Sequence, residues 1–265
     1  MTDASRDQSS QLLSGKHALV TGGSRGIGAA VVEILLAHGA RVTSVSRTGA
    51  PQKESSPSGS RDAVHHLSAD VTDSESVKKA FESARGRFGE IAILVNNAGQ
   101  AASAPFLKTD PALWRKMMAV NLDGTFHCTQ AVLAGMLAAG WGRIINIAST
   151  AGLTGYGYVT AYCAAKHGVV GLTRALAIEV ATKGVTVNAV CPGFTDTDIV
   201  KKAVTNIVAK TGRTAEQAQA ELASRNPQKR LVRPEEVANT VAWLCLPGSE
   251  AITGQAIAVA GGELM

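Results

Sequence analysis

Aromatic side chains, cysteines and long apolar runs are all scarce in this 265-residue chain. Aromatic residues make up only 4% of it, and the basic residues are dispersed rather than clustered. This composition argues against a nucleic-acid interface, which needs stacking side chains and a basic patch. No apolar run approaches the roughly 20 residues of a membrane-spanning helix. We therefore expect neither a nucleic-acid partner nor a membrane partner.

The four cysteines are too far apart in the sequence for a metal or redox motif. No two of them have the two-residue spacing of a zinc or dithiol site. We interpret them as free thiols buried as small apolar side chains, and we expect no bound metal. They are Cys128, Cys163, Cys191 and Cys245.

The net charge and the first residues of the chain suggest the kind of ligand and the location of the protein. A formal net charge of +5 suits a phosphate-bearing ligand without indicating a narrower class. The polar first residues lack the basic-then-apolar pattern of a secretion signal. We expect a cytoplasmic protein in which residues 1–13 form a disordered tail and residues 14–265 form a single domain.

Strand-like and helix-like segments alternate along the chain, which is typical of a parallel sheet with crossover helices. The pattern predicts an α/β fold: a single-domain, Rossmann-type, doubly wound seven-stranded parallel sheet with helices on both faces. A Thr72-x-x-Glu75 capping box predicts the start of the helix after the third strand. Residues 48–61, rich in Pro, Ser and Gly, predict a loop. The predicted strands are 17–22, 40–46, 63–70, 91–99, 143–150, 184–193 and 255–262.

The octapeptide TGGSRGIG, residues 21–28, lies between the first strand and the first helix. A helix that starts directly after a strand points its free N–H groups and positive dipole end at whatever lies in front of it. Glycines let a diphosphate approach that backbone. Gly22, Gly26 and Gly28 therefore predict a dinucleotide cradle, although an ordinary strand-to-helix turn would also use glycine.

Ser46 ends the second strand, where dinucleotide-binding folds usually place a carboxylate against the ribose 2′-hydroxyl. No acidic group at that position would repel a 2′-phosphate, and Arg47 and Arg25 could bind one. This pattern predicts NADPH/NADP rather than NADH, unless both arginines are simply solvated. Asp70, after the third strand, could accept a hydrogen bond from the adenine amino group or could simply start the next helix.

Tyr162 and Lys166 are four residues apart on a predicted helix and so share a face. An adjacent ammonium group would lower the pKa of a tyrosine, which is ordinarily about 10, by stabilising the phenolate. Tyr162 could then donate a proton to a carbonyl oxygen that receives hydride. Ser149 ends the fifth strand, where its hydroxyl could bind the same oxygen. Asn121 lies inside a long predicted helix, 112–139, where asparagine is unfavourable unless its amide or a kink is used.

Together these motifs resemble those of the classical short-chain dehydrogenase/reductase (SDR) family over residues 15–262. The resemblance implies that Asn121, Ser149, Tyr162 and Lys166 are catalytic, that Lys166 also binds the nicotinamide ribose, and that Asn121 holds a water molecule. It adds the NNAG stretch, residues 96–99, and a Pro-Gly stretch beside the nicotinamide. The implied cofactor contacts, with Thr197 at the carboxamide, are Thr21, Gly22, Ser24, Arg25, Gly26, Ile27, Gly28, Ser46, Arg47, Asp70, Val71, Asn97, Ala98, Gly99, Tyr162, Lys166, Pro192, Gly193, Thr195 and Thr197.

Within that family the chain is most similar to 3-oxoacyl-[acyl-carrier-protein] reductases and aromatic polyketide ketoreductases. The similarity is carried by GRIINIASTAG, AYCAAKHGVVGLTRALAIEVA and VNAVCPGFTDTDIV. It implies NADPH-dependent reduction of the keto group of a 3-oxoacyl thioester on an acyl carrier protein or coenzyme A. A secondary or cyclic alcohol dehydrogenase acting on a non-thioester ketone is the alternative. A sensor or scaffold that kept the fold without the chemistry is a further alternative, which the intact tetrad disfavours.

Residues 195–230 are the candidate substrate segment. Val200, Val204, Ile207 and Val208 form one apolar helical face, which could close over a substrate as a lid or could contact another subunit. Basic residues of the same segment could meet a carrier protein or the phosphates of coenzyme A. These are Lys201, Lys202, Lys210 and Arg213.

The resemblance also implies a homotetramer. Two predicted helices, 112–139 and 158–181, are apolar on more than one side, and a sheet can cover only one of those sides. The apolar residues that carry this expectation on the first helix are Leu113, Met117, Val120, Val132, Leu133 and Met136.

Overall fold

Seven parallel strands form one sheet in the computed structural model, which describes residues 11–49 and 61–264. The predicted fold class is confirmed. The strands are β1 (His17–Thr21), β2 (Arg41–Ser46), β3 (Val64–Ser68), β4 (Ile93–Asn96), β5 (Gly142–Ile147), β6 (Val185–Pro192) and β7 (Ala256–Val259). The α-helices are α1 (Gly26–Ala37), α2 (Ser74–Phe88), α3 (Pro111–Met118), α4 (Gly124–Ala139), α5 (Thr160–Val180), α6 (Asp198–Thr211), α7 (Ala215–Ser224) and α8 (Pro234–Cys245).

The strand order places a ligand-binding crevice at the middle of the sheet. The order is β3-β2-β1-β4-β5-β6-β7, so the chain reverses its direction of winding between β1 and β4. In β1, Ala18 is in register with Val42 of β2 on one side and with Ile93 of β4 on the other. Open α/β sheets bind ligands outside the carboxyl ends of the strands at such a switch point.

Alternate residues of the central strands face opposite helical layers. Ala18 and Val20 of β1 lie in the apolar cluster that contains residues of α1 and α8, such as Leu35 and Val241. Leu19, between them, belongs to the other cluster, with residues of α2, α4 and α5. Because successive side chains of a strand point to opposite faces, the side chains of one buried apolar strand pack alternately into the helical layers on the two sides of the sheet.

The packed chain begins before the expected boundary at residue 13. Leu13 is buried in the core, and its backbone N–H donates to the His38 carbonyl at 2.8 Å. The segment from Gln11 to Leu13 thus joins the fold instead of the expected tail. Residues 1–10 of that tail, and residues 50–60 of the expected loop, lie outside the described residues.

The expected capping box at the start of α2 is wrong. Asp73 is the N-cap, and its carboxylate accepts a hydrogen bond from the Glu75 backbone N–H at 3.0 Å. The Thr72 hydroxyl donates instead to Asp70 at 2.8 Å. The neighbouring aspartate therefore supplies the cap, as aspartate often does.

The long helix expected over 112–139 is interrupted. A π-type turn, Ala119–Asp123, separates α3 from α4, and Asn121 lies within it. The sequence left open whether the amide of Asn121 or a kink would accommodate it, and the structure shows a bonded amide within a local π-type turn. Of the residues that carried the tetramer expectation, most serve the chain's own core: Met117, Val132 and Met136 are buried, and Val120 and Leu133 pack against that core.

The four cysteines are free and buried, as predicted. Burial raises the pKa of the Cys128 and Cys245 thiols to about 12 and that of Cys191 to about 11. Such thiols are unreactive at neutral pH because the thiolate is the reactive form. Over the described residues, no helix combines the length and the apolar character needed to cross a membrane.

Candidate active site

Ser149 lies just beyond the carboxyl end of β5, at the start of a tight turn. Its hydroxyl accepts a hydrogen bond from the Ala151 N–H at 3.1 Å, and a 3₁₀ turn, Thr150–Gly152, follows. The same hydroxyl lies near enough to the phenol of Tyr162 to lower the pKa of that group. The two side chains expected to bind one carbonyl oxygen are thus neighbours at this end of β5.

Tyr162 and Lys166 occupy one face of α5, one helical turn apart. The Lys166 ammonium is buried, lies 5.8 Å from the centroid of the Tyr162 ring, and donates to the Ile147 carbonyl at 2.7 Å. Ile147 is the last residue of β5. Lys166 therefore lies beneath the phenol, held by the end of the strand that leads to Ser149.

Burial dominates the acid–base properties of this pair. It raises the pKa of Tyr162 to about 12, against a smaller lowering by the nearby Ser149 hydroxyl. It lowers the pKa of Lys166 to about 8. The Lys166 ammonium donates to a backbone carbonyl and desolvation disfavours the phenolate, so burial dominates here, and the lowering of the Tyr162 pKa by Lys166 stays a prediction.

Asn121 connects the π-type turn to the segment after β4. Its Nδ2 donates to the carbonyls of Gln100 and Met117, both at 2.9 Å, and its Oδ1 accepts from the Gln100 N–H at 3.2 Å. A Cβ on Gly99 would lie 2.8 Å from the Asn121 Oδ1 and 3.7 Å from the Lys166 ammonium. The structure thus brings Asn121 and Lys166 together, while the water-holding role of Asn121 stays a prediction.

The glycine loop forms a cradle that side chains would fill. Gly22 and Gly26 have φ of +67° and +55°, a conformation that L-residues rarely adopt. A Cβ on Gly28 would lie 2.2 Å from the Gly22 carbonyl oxygen. Arg25, the N-cap residue of α1, makes no side-chain cap. The first N–H groups of α1 are therefore available to a diphosphate, so these residues fit a dinucleotide.

Thr21 and Asn97 join the two strands that flank the switch point. The Asn97 amide donates to the carbonyls of Thr21 and Gly22 at 2.9 and 3.1 Å. The Thr21 hydroxyl oxygen accepts from the N–H groups of Asn97 and Ala98, both at 3.0 Å. These bonds fix the glycine loop against the segment that leads to Gly99.

The Pro-Gly stretch meets the glycine loop from the other side. Pro192 ends β6, and the Thr195 hydroxyl then donates to the Gly193 carbonyl at 3.0 Å. A Cβ on Gly26 would lie 3.2 Å from the Thr197 side chain. Thr197 thus lies beside the cradle, and its contact with the carboxamide stays a prediction.

The adenosine end has fewer fixed contacts. Ser46 is buried and donates to the Gly49 carbonyl at 2.9 Å, whereas Arg47 is exposed. Arg25 is also exposed, and pairs with Asp198 of α6 at 3.3 Å. An exposed ion pair contributes only about 0–1 kcal/mol, so it would not prevent Arg25 from turning to a phosphate.

Three expected contact residues in this region also have structural tasks. The Asp70 Oδ1 accepts from both the N–H and the hydroxyl of Thr72, which lowers the pKa of the carboxyl group. Val71 is buried and packs on Gly124, and Ile27 packs against the core beneath α1. The stabilisation of its own turn is therefore sufficient to explain Asp70.

A buried polar network beneath the site is absent from the sequence-based expectations. The Asn96 amide donates to Asn146 at 2.9 Å and to Thr129 at 3.0 Å, and the Asn146 amide donates to Thr173 at 2.9 Å. It ties β4, β5, α4 and α5 together. The available signal was an asparagine in each of two apolar strands, since a buried amide needs hydrogen-bond partners.

Comparisons with known proteins find dehydrogenases and reductases that are similar to this chain over most of its length. The family described as short chain dehydrogenase matches residues 16–208. The 3-oxoacyl-[acyl-carrier-protein] reductase FabG of Vibrio cholerae is 41% identical over 255 residues, covering 96% of this chain and 99% of that protein. D-beta-hydroxybutyrate dehydrogenase of Cupriavidus necator is 38% identical, covering 92% and 95%. A crystal structure of an actinorhodin polyketide ketoreductase variant with NADPH superposes with a TM-score of 0.85 at 36% identity, covering 94% of this chain and 97% of that one.

Proposed function

The chain belongs to the short-chain dehydrogenase family, whose chemistry here is NAD(P)-dependent keto reduction, and we propose that it reduces the keto group of a 3-oxoacyl thioester with NADPH. The observation that carries this proposal is that Ser149, Tyr162 and Lys166 come together beyond the carboxyl end of β5, with the Lys166 ammonium 5.8 Å from the centroid of the Tyr162 ring and bonded to the Ile147 carbonyl. The two neighbouring hydroxyl groups could both donate to one oxygen acceptor there.

We assign the chain's own residues the following tasks. The bound cofactor supplies the hydride. Ser149 and Tyr162 hold the substrate carbonyl oxygen, and Tyr162, whose high pKa keeps it protonated at neutral pH, donates the proton. Lys166 holds the ribose and keeps positive charge near the phenol. Asn121 fixes Gln100 and the π-type turn beside Lys166.

The surroundings of Tyr162 favour a neutral ketone over a free keto acid. Between Arg143 and Lys166 the sequence carries no charged residue, and the same is true of residues 91–107 and 185–195. The cations that the structure places near the site are Lys166, which donates to the Ile147 carbonyl, and Arg225, which lies against the Tyr156 ring. A substrate carboxylate buried there would need a cationic partner. A thioester has no such charge. This supports the activity that FabG is named for over the one that D-beta-hydroxybutyrate dehydrogenase is named for.

In this proposal the substrate segment recognises the carrier of the acyl group. Residues 195–230 form α6, α7 and the turn to α8, with Val200 buried and Val204, Ile207 and Val208 half-buried. We propose that this segment closes over the acyl chain. The exposed basic residues available for a carrier protein or coenzyme A phosphates are Lys201, Lys202, Lys210 and Arg213.

A substrate screen tests the function directly. NADPH oxidation would be followed with acetoacetyl-coenzyme A, free acetoacetate, cyclohexanone and an aromatic ketone. We expect the thioester to have the highest kcat/KM, and Tyr162→Phe to lower kcat by at least about 100-fold while NADPH still binds. Faster turnover of a cyclic ketone would favour the alcohol dehydrogenase alternative. Cofactor binding without turnover of any ketone would favour the sensor or scaffold.

A further inference from the structure

A second tyrosine near the site has no task in the proposed chemistry. Tyr156 is half-buried, and its hydroxyl oxygen lies 2.7 Å from the Glu263 Oε1 and 2.8 Å from the Thr150 hydroxyl. A carboxylate can only accept, so the tyrosine proton points to Glu263. The Thr150 hydroxyl can then donate to the tyrosine oxygen.

Tyr156 is also held on both sides of its ring. The Phe194 ring meets it edge to face at 6.2 Å between centroids, and the Arg225 guanidinium carbon lies 5.0 Å from the ring centroid. Phe194 directly follows the Pro-Gly stretch, and Arg225 follows α7. The ring therefore joins the turn after Ser149 to both ends of the substrate segment.

The backbone conformation after β7 places Glu263 beside Tyr156. Gly261 and Gly262 have φ of +60° and +92°, and a Cβ on Gly261 would lie 2.1 Å from the buried Asn226 Oδ1. A Cβ on Gly193 would lie 3.0 Å from the Glu263 Oε2. Residues 261–263 thus pass close to Asn226, and the Glu263 carboxylate lies beside the Pro-Gly stretch.

Thr150 transmits this contact to the catalytic serine. Its carbonyl accepts from the N–H groups of Leu153 and Thr154, at 2.9 and 3.0 Å, and the Ala151 N–H binds the Ser149 hydroxyl. A Cβ on Gly152 would lie 2.7 Å from the Lys166 carbonyl oxygen, so the turn lies directly on α5. A side-chain bond that fixes Thr150 therefore fixes the turn that orients Ser149.

We propose that Tyr156 is a positioning residue, oriented by Glu263, which holds the Thr150 turn and thereby places the Ser149 hydroxyl against Tyr162 and the substrate oxygen. The role of Ser149 in this inference rests on the proposed function. The contact also couples reduction to the position of residues 261–263, because Glu263 follows β7.

The test combines kinetics with hydrogen–deuterium exchange. The variants are Tyr156→Phe, Glu263→Ala, Glu263→Gln and the Tyr156→Phe/Glu263→Ala double variant. Tyr158→Phe is the matched control, since it removes the same atom from a side chain that is 70% exposed two residues later. Kinetics would use the best ketone of the wild-type protein, and exchange would be followed in the amides of residues 151–154.

We expect Tyr156→Phe and Glu263→Ala each to lower kcat about tenfold, with KM for ketone and NADPH changed less than twofold. Glu263→Gln should retain most activity because its amide oxygen can still accept the tyrosine proton. The double variant should be no worse than either single variant, since both remove one contact. Exchange at residues 151–154 should be faster in Tyr156→Phe and Glu263→Ala and unchanged in Tyr158→Phe.

Multiplicative losses in the double variant, or an unchanged kcat in Tyr156→Phe, would overturn the proposal. Equal losses in Glu263→Gln and Glu263→Ala would do the same. If the wild-type protein reduces no ketone, the proposed function fails, yet the exchange measurement on the cofactor-free chain still decides whether Tyr156 holds the turn. Unchanged exchange at residues 151–154 would then reject it.

Discussion

At the scale of single residues, the site depends on a buried cation. Lys166 keeps one strong hydrogen bond, to the Ile147 carbonyl, and loses most of its hydration, so its pKa falls to about 8. Tyr162 shifts in the opposite direction, to about 12. Burial therefore brings the pKa of the lysine, and not that of the tyrosine, close to physiological pH.

This difference predicts the pH dependence of cofactor capture. Lys166 is cationic below its pKa, so kcat/KM for NADPH should be level up to about pH 7 and fall as pH rises through about 8. Tyr162 stays protonated throughout that range and cannot cause the fall. Because kcat/KM for the first substrate reports the free enzyme, initial rates at varied NADPH between pH 6 and 10 measure it. Lys166→Arg, which stays charged, should abolish the inflection even if its rate is low; a level profile up to pH 10 would contradict the assignment.

Cofactor choice is a second property of single residues. We expect the wild-type chain to prefer NADPH over NADH by at least about tenfold in kcat/KM, because Ser46 does not repel a 2′-phosphate and Arg47 and Arg25 can bind it. Ser46→Asp should reverse this preference, since a carboxylate repels the phosphate and accepts from a free 2′-hydroxyl.

The measurement is kcat/KM with each cofactor for both proteins. Ser83→Asp adds the same charge at an exposed position of α2 and should leave the ratio unchanged. A wild-type chain that uses NADH equally well would show that Arg47 and Arg25 are merely solvated.

At the scale of elements, the sequence predicted features that depend on a few neighbouring residues better than contacts between residues far apart in the chain. The four-residue spacing predicted that Tyr162 and Lys166 share a face of α5. The unfavourable asparagine drew attention to residue 121, although the interruption of the helix there was not predicted. The contact of Lys166 with Ile147 and that of Tyr156 with Glu263 could not be predicted, because each joins residues whose proximity depends on the finished sheet. The capping error at α2 arose because Thr72 and Asp73 are both good caps and differ by one position.

The segment containing α6 and α7 provides a test of substrate discrimination. Val204 is half-buried on the apolar face of α6, behind the exposed lysines. Val204→Trp should raise KM for a bulky acyl thioester far more than for a small ketone, because only the longer substrate reaches this wall. Affinity for NADPH should be almost unchanged.

The comparison requires steady-state kinetics with both substrates. Thr205→Trp is the control, because it adds the same bulk at the neighbouring exposed position of α6. Equal effects of Val204→Trp on the two substrates would indicate that the segment limits access in general or contacts another subunit.

At the scale of the whole molecule, the sheet was predictable and the surface was not. Seven strands and their parallel direction follow from the alternation of apolar segments with helices, since crossover connections impose that arrangement. The helical faces left uncovered depend on packing angles that the sequence does not display. Met117, Val132 and Met136 were therefore expected at a subunit contact but lie in the core.

The homotetramer stays a prediction, and apolar side chains other than those first expected would carry it. Phe126 and Leu137 are 48% and 38% exposed on α4, eleven residues apart and so on one face, and Ile178 on α5 is 80% exposed. We take these exposed apolar side chains as the candidate subunit contact. We expect light scattering at micromolar concentration to give about four times the 27.3 kDa of one chain.

The Phe126→Glu/Leu137→Glu variant should give a smaller species, because a charge buried in that contact would lack a partner. Leu12→Glu, a similar change at an exposed leucine near the start of the chain, should not alter the mass. A wild-type chain that scatters as a stable monomer would refute the assembly and leave these apolar residues without a partner.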